Sequence, residues 1–203
     1  MGLRNGCCAV ILTRFAMIFK GIVLAGGKSS RFGKDKALAQ CEGKTLLGRA
    51  VDLLDVLRLD PVVITGGQRD YSFLSCPVEK DLIPSKGPLG GLYTACSLFP
   101  ESYLLVLTCD MPLLTGDVLK QLMQSYRNSD QAAVFSIDHV LQPFPGIYKA
   151  DLKRAIHDGL VSDKLSMKLF LSRIPNKRVV PGIFHLKAFR NVNCQEDLDL
   201  ISD

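Results

Sequence analysis

The stretch "VLAGGKSSRFGKDKA" (Val23–Ala37) decides how this chain can be interpreted. It leaves the apolar run "GIVLA" at 21–25 and turns at once into Gly26 and Gly27. Glycine has no Cβ, so both residues can take positive φ and let a ligand approach the backbone closely. Backbone N–H groups in such a turn attract anions. Basic side chains surround the same turn, at Lys28, Arg31, Lys34 and Lys36. A flexible backbone with converging cations favours a polyphosphate ligand.

Two familiar phosphate-binding loops do not fit this stretch. "GKS" at 27–29 resembles the end of a Walker A motif, but the first glycine of that motif would fall at Ile22. "GKT" at 43–45 fails for the same reason, because its first glycine would fall at Leu38. The dinucleotide fingerprint G-x-G-x-x-G is absent from the sequence as well, which disfavours a dehydrogenase. The loop therefore belongs to another class of phosphate site.

The regions around the loop predict an α/β fold. Short apolar runs alternate with amphipathic helical patterns, and this order predicts βαβ units with a parallel sheet and right-handed crossovers. The predicted strands are "GIVLA" (21–25), "PVVIT" (61–65), "YLLVLT" (103–108) and "AAVFS" (132–136). The predicted helices cover 45–57, 88–99 and 115–127, with Thr115 as an N-cap, and a short closing helix is expected in 193–203.

Ligands of such sheets bind beyond the carboxyl ends of the strands. The residues that follow each predicted strand are therefore the candidates for a site. They are Gly26 to Lys36, Thr65 to Arg69, Asp81 after "CPVEKD", and Cys109 to Pro112.

Composition restricts the remaining possibilities. The chain has 203 residues, 47% apolar and 22% charged, which suits one globular α/β domain. A net charge of +5 without a long basic cluster argues against a nucleic-acid partner. We expect residues 1–16 to be an extension, disordered or not native, and 17–203 to be a single domain. The apolar runs are too short for a membrane span, and the seven cysteines show no C-x-x-C pair, which favours reduced thiols in the cytoplasm.

The loop resembles, position for position, the signature L-A-G-G-x-S-x-R-x-G-x-D-K of the nucleotidyltransferases that activate sugars, terpenoid precursors and molybdopterin. Four further stretches resemble the molybdenum cofactor guanylyltransferases within that superfamily: "EKDLIPSKGPLGGLYTA" (79–95), "VLTCDMPLL" (106–114), "QPFPGIY" (142–148) and "FRNVNCQEDL" (189–198). The resemblance covers about residues 19 to 200. It departs from the family pattern at Cys194-Gln195, where Thr-Pro is usual at a helix start, and at "ITGG" (64–67), where some members have a nucleotide-contacting asparagine. Thr65 is the nearest equivalent of that asparagine.

The resemblance implies a three-layer, Rossmann-like fold with a mostly parallel central sheet flanked by helices. It implies transfer of GMP from GTP to molybdopterin, Mg²⁺-dependent, with release of pyrophosphate. Enzymes that receive the cofactor, or chaperones that insert it, are possible further partners. Two alternatives stay open: another nucleotidyltransferase of the superfamily, acting with CTP on a pterin or on a sugar or cobinamide phosphate, and a non-catalytic nucleotide-binding regulator.

The implied site has three groups of residues. The catalytic group consists of Arg31 and Lys36, which are expected to neutralise charge on the phosphates, and Asp110, which is expected to act through a bound metal ion. The nucleotide-binding group consists of Leu24, Ala25, Gly26, Gly27, Lys36, Thr65, Asp81 and Asp110. Asn191 and Asn193 are expected to bind the acceptor. Asp110 is the expected Mg²⁺ ligand, because Mg²⁺ commonly takes one or two carboxylates together with substrate phosphates.

Overall fold

The computed structural model describes residues 17–26, 35–67 and 70–202. The predicted extension 1–16 lies outside these residues. The described strands are β1 (Phe19–Ala25), β2 (Gln40–Cys41), β3 (Lys44–Thr45), β4 (Val62–Thr65), β5 (Val78–Lys80), β6 (Tyr103–Thr108), β7 (Ala132–Ile137), β8 (Val140–Lys149) and β9 (Lys177–Pro181). The described α-helices are α1 (Leu46–Val56), α2 (Gly87–Leu98), α3 (Gly116–Ser125), α4 (Lys153–Val161), α5 (Met167–Ser172) and α6 (Gln195–Ser202).

Seven of these strands form one mixed sheet in the order β5-β4-β1-β6-β8-β7-β9. The neighbours β5, β4, β1 and β6 are all parallel, and β7 is parallel to β9. Strand β8 alone in the sheet runs antiparallel, and it pairs with β6 on one side and β7 on the other. The carboxyl ends of β1, β4 and β6 therefore meet at one edge of the sheet.

Helices cover both faces of the sheet because its strands are apolar on both sides. In β1, Ile22 and Leu24 pack with the helices α2, α4 and α5, whereas Val23 and Ala25 pack with α1 and α3. Strand β6 alternates in the same way, with Leu104 facing one layer and Leu105 the other. This confirms the predicted three-layer architecture with a mostly parallel central sheet.

The predicted elements match the observed ones within two residues at each end. Thr45 accepts a hydrogen bond from Gly48 N at 3.0 Å and so caps α1. Thr115 does occupy the N-cap position of α3, although its side chain makes no capping bond to the described residues. No helix in the described part of the chain is long and apolar enough to cross a bilayer.

The arrangement of β7 differs from the simple βαβ expectation. Residues 132–136 do form a buried strand, but β7 leads directly into β8 through a two-residue turn at Asp138 and His139, which both have positive φ. Such a turn matches the twist of a hairpin. It returns the chain between β6 and β7, so β8 separates two strands that point in the same direction. The turn has no glycine to mark it in the sequence.

Candidate active site

Three polar side chains meet at the carboxyl edge of the sheet. The Lys36 ammonium lies 3.3 Å from Asp110 Oδ2 and donates a 3.2 Å hydrogen bond to Asn193 Oδ1. Residues 36 and 193 are 157 positions apart in the chain. The sequence placed Lys36 and Asp110 in one predicted group and Asn193 in another, and the fold brings all three within hydrogen-bond distance.

Asp110 is held by the end of β6. The Thr108 hydroxyl donates to Asp110 Oδ1 at 2.5 Å, and the backbone N–H of Val192 donates to the Asp110 carbonyl at 2.8 Å. The first contact orients the carboxylate with its second oxygen toward Lys36. The second fixes the C-terminal segment beside the same strand end. Thr108 was not among the predicted site residues, although its spacing, two positions before Asp110 at a strand end, is the signal that marks it.

Lys36 begins a short 3-10 turn, Lys36–Leu38, that follows the glycine loop. Asp35 caps this turn, since its Oδ1 accepts a 3.1 Å hydrogen bond from Ala37 N. Side-chain oxygens of aspartate commonly satisfy the free N–H groups of such a start. The cap fixes the backbone from which the Lys36 side chain reaches Asp110.

Asn193 precedes α6, where the sequence departs from the Thr-Pro pattern. A weaker helix start would be expected with Cys194-Gln195 at this point. Asp197, in the first turn of the helix, compensates: its Oδ2 accepts hydrogen bonds from Asn193 N at 2.6 Å and from Cys194 N at 3.1 Å. These bonds, that from Asn193 above all, lower the pKa of the Asp197 carboxyl. The Asp197 side chain thus caps the start of α6 and holds the backbone of Asn193.

A cavity of about 560 Å³ opens beside this cluster. The ends of three strands and the segment after β5 line it, through Leu24, Ala25, Gly26, Thr65, Asp81 and Thr108. Five of these six were predicted to bind the nucleotide. Thr108 both lines the cavity and holds Asp110, so the cavity adjoins the charged cluster of Lys36, Asp110 and Asn193.

Asp81 lies directly after β5 in the wall of this cavity. Its backbone N–H donates to the Thr65 carbonyl at 3.0 Å, and its Oδ1 accepts a 3.4 Å hydrogen bond from the Thr94 hydroxyl. Burial raises the pKa of this carboxyl above its ordinary value of 3.8, while the bond from Thr94 opposes the rise. An ionised carboxylate has room for several hydrogen bonds, so this half-buried side chain can accept further bonds from a ligand in the cavity.

Two glycines allow the chain segments that line this cavity to approach one another closely. A Cβ on Gly91 would lie 2.9 Å from Leu24 Cδ2 and 3.5 Å from Asp81 Oδ1. A Cβ on Gly26 would lie 3.2 Å from the backbone nitrogen of Gly66. Strand β1 and its neighbours can therefore approach one another at the cavity only because these positions lack side chains.

Comparisons with known proteins connect this geometry to a family. The sequence profile of the MobA-like NTP transferase domain matches residues 21–175, which include the strand ends and the Lys36–Asp110 pair. The chain belongs to this family. It is accordingly a nucleotidyltransferase.

Relatives of the MobA-like family cover almost the whole chain. A probable molybdenum cofactor guanylyltransferase of Bacillus licheniformis is 32% identical over 186 residues, 89% of this chain and 94% of the relative. A protein of the same name from Flavobacterium johnsoniae is 30% identical over 182 residues, 87% of this chain and 93% of the relative. The likeness to these relatives therefore covers more of the chain than the matched family domain does.

Solved structures show the same fold. The molybdopterin-guanine dinucleotide biosynthesis protein A of Archaeoglobus fulgidus superposes with a TM-score of 0.77 and 21% identity, over 90% of this chain and 96% of that chain. The 4-diphosphocytidyl-2C-methyl-D-erythritol synthase of Anaerococcus prevotii gives a TM-score of 0.68 at 15% identity, over 92% of this chain and 95% of that chain. These two proteins are named for different products, so the shared fold alone does not identify the nucleotide.

Four predicted site residues remain to be placed in this MobA-like domain: Gly27, Arg31, Asn191 and Asn193. Gly27 and Arg31 lie outside the described residues. Asn191 is exposed, whereas Val192 is fully buried next to Asp110 and Asn193 reaches Lys36. The predicted pair of asparagines thus lies in one segment, but only Asn193 touches the charged cluster.

A divalent metal would find few protein ligands among the described residues of this site. Among residues 17–26, 35–67 and 70–202, no three His, Cys, Asp or Glu side chains form a metal-binding group. One carboxylate at a rigid strand end is nevertheless the arrangement that suits Mg²⁺, which takes its other ligands from water and substrate phosphates. Asp110 fits that role.

Proposed function

We propose that this protein transfers GMP from GTP to the terminal phosphate of molybdopterin and releases pyrophosphate. The names of its relatives support the choice of substrates. The observation that carries the proposal is the contact between Lys36 and Asp110, a cation and a carboxylate at adjoining strand ends, beside a cavity of nucleotide size.

The reaction joins two phosphates. A terminal phosphate oxygen of the acceptor attacks the α-phosphorus of GTP, and the bond from that phosphorus to the oxygen bridging to the β-phosphate breaks. Pyrophosphate carries away the electron pair of the broken bond. Such transfers need positioned charge more than covalent help from the protein. The Lys36 ammonium, held at the edge of the cavity, neutralises charge that grows on the α- and β-phosphates, and Arg31 is proposed to assist it.

Asp110 is the residue proposed to hold Mg²⁺. When bound, the ion would neutralise phosphate charge and orient the phosphates for attack. Thr108 keeps one carboxylate oxygen of Asp110 occupied, and the other, which lies 3.3 Å from the Lys36 ammonium, is the oxygen proposed to bind the ion. The protein thus offers one oriented oxygen rather than a closed cage of ligands, as expected for a site that a substrate completes.

The cavity is the proposed nucleotide pocket. Backbone groups of Leu24, Ala25 and Gly26, with Gly27 beyond them, would contact the phosphates and sugar, and Thr65 would lie near the nucleoside. Asp81 would accept hydrogen bonds from N–H groups of the base or from ribose hydroxyls. Asn193, with Asn191, would contact the acceptor, because neutral amides bond both to pterin ring edges and to phosphate oxygens. We place the reaction in the cytoplasm.

A nucleotide panel tests the proposal. The purified protein is incubated with GTP, CTP, ATP or UTP, with Mg²⁺, and with or without molybdopterin, and pyrophosphate release and the dinucleotide product are measured. The proposal predicts acceptor-dependent release with GTP at least tenfold above that with CTP. Preference for CTP would assign the protein to another branch of the superfamily. Tight binding without turnover of any nucleotide would instead favour a regulator.

A further inference from the structure

Asp35, the residue before Lys36, is in contact with the loop that follows β4. The Tyr71 hydroxyl donates a 2.8 Å hydrogen bond to Asp35 Oδ2. The other oxygen of the same carboxylate caps the 3-10 turn by accepting from Ala37 N. Asp35 is therefore bonded on both sides, by a side chain from a distant loop and by the turn that carries Lys36.

Tyr71 is a rigid donor. Its side chain is only 3% exposed and packs in the core cluster that contains Ala25 and Ala37. Its carbonyl accepts a 2.9 Å bond from Leu74 N, which fixes the backbone of the turn that follows it. Burial and this turn together restrict the directions in which the phenol can point.

The two loops also approach at their bases, where a Cβ on Gly26 would lie 3.2 Å from Gly66 N. The loop after β4 thus touches the phosphate-loop side of the site at two places, one at the strand end and one at Asp35. A displacement of this loop would therefore shift the turn that carries Lys36.

We infer that Tyr71 is a positioning residue for Lys36, acting through Asp35. By holding one oxygen of the Asp35 carboxylate, the phenol keeps the other on Ala37 N and keeps the Lys36 ammonium at Asp110 and Asn193. The inference rests on the proposed function of Lys36 in neutralising phosphate charge. Small displacements of a catalytic group reduce rates strongly, by as much as about a hundredfold for roughly 1 Å.

Tyr71→Phe removes only the hydroxyl. We expect the turnover number to fall about tenfold, while the dissociation constant for the nucleotide, measured by calorimetry, changes by no more than about twofold. The matched control is Tyr126→Phe. Tyr126 is equally buried at 3%, and its hydroxyl donates to the Asp130 carbonyl at 2.6 Å, near the opposite end of the strands, where its ring packs on Phe19.

The control separates positioning from stability. Each variant loses one hydrogen bond made by the hydroxyl of a buried tyrosine, and both melting temperatures should fall by a few degrees. Only Tyr71→Phe should lose turnover. An unchanged turnover number in Tyr71→Phe, or an equal loss in Tyr126→Phe, would overturn the inference.

A double-mutant cycle tests the route through Asp35. In an Asp35→Ala background, Tyr71→Phe should reduce turnover by less than twofold further, because the bond it removes is already absent. If the two losses simply multiply, Tyr71 does not act through Asp35. Should Asp35→Ala fail to fold, Asp35→Ser replaces it, since a serine hydroxyl can still accept a hydrogen bond from Ala37 N but has no second oxygen for the Tyr71 hydroxyl. The comparison is made with whichever nucleotide the wild-type protein uses best, so a wrong choice of GTP would leave these ratios measurable.

Discussion

The Asp110→Asn substitution exchanges one carboxylate oxygen for an amide nitrogen and leaves the size of the side chain almost unchanged. If the amide keeps its oxygen on the Thr108 hydroxyl, its NH₂ group turns toward the Lys36 ammonium, so that two donors face each other where an ion pair stood at 3.3 Å. The variant also removes the single negative charge proposed to hold Mg²⁺.

The structure separates the expected effect on stability from that on activity. With the Lys36 and Asp110 side chains 17% and 27% exposed, the Coulomb attraction at 3.3 Å is about 5 kcal/mol for an effective dielectric constant of 20. Lost hydration cancels most of it, so the pair contributes roughly 1 kcal/mol to stability, or about 2–4 °C in melting temperature. Turnover should fall about a thousandfold, equivalent to about 4 kcal/mol of transition-state stabilisation.

The assay is steady-state turnover at saturating GTP and Mg²⁺, beside thermal unfolding. Asp130→Asn is the matched control, because Asp130 accepts hydrogen bonds from Arg178 at 2.9 and 3.2 Å and is 9% exposed, in a pair away from the cavity. It should lose stability and keep its turnover. Near-normal turnover of the Asp110→Asn protein at saturating magnesium would refute the assignment, and so would an equal loss of activity in both variants.

Three other substitutions give distinct results. Lys36→Ala should lower the turnover number far more than GTP affinity, since the ammonium is proposed to act mainly on the transition state. Steady-state kinetics and calorimetry measure the two effects separately. A loss confined to GTP affinity would mean that the lysine only stabilises the bound substrate. Asn193→Ala should reduce transfer to molybdopterin at least tenfold while GTP affinity stays within about twofold, and a product assay beside calorimetry separates the two; a collapse of GTP binding with transfer intact would assign Asn193 to the nucleotide site. Asp81→Asn should weaken nucleotide binding yet raise the free energy of unfolding at pH 7. Because burial raises the pKa of this carboxyl, the wild-type protein gains stability as the pH falls toward 3.8, so the advantage of the variant should shrink over that range; denaturant titrations at several pH values would show the opposite trend if the carboxylate were stabilising.

Local sequence was enough to predict the strands that carry the site. "GIVLA" and "YLLVLT" are apolar on both faces, so they had to be central strands, and in parallel sheets the residues after such strands meet at one edge. The positions of Gly26, Asp81 and Asp110 followed from that rule. The antiparallel strand β8 did not, because the Asp138–His139 turn adopts positive φ without glycine.

Side-chain partners were beyond the reach of the sequence. Tyr71 follows no recognisable motif, and its bond to Asp35 exists only because β4 lies beside β1 in the sheet. The cap that Asp197 provides for α6 could have been suspected from its place in the first turn. Its contact with Asn193 N depends on how the preceding segment enters the helix.

The residues proposed to bind the nucleotide and those proposed to bind the acceptor cannot lie far apart. The C-terminal segment is tied to the end of β6 by the bond from Val192 N to the Asp110 carbonyl, and the next residue, Asn193, reaches Lys36. Transfer requires the acceptor oxygen and the α-phosphorus of the nucleotide to come within bonding distance at one place. Residues proposed for the two substrates must therefore converge there, and Lys36, which contacts both Asp110 and Asn193, is the residue we propose for that place. A side chain at such a junction affects the transfer step more than the binding of either substrate, which is why the tests above measure turnover and affinity separately.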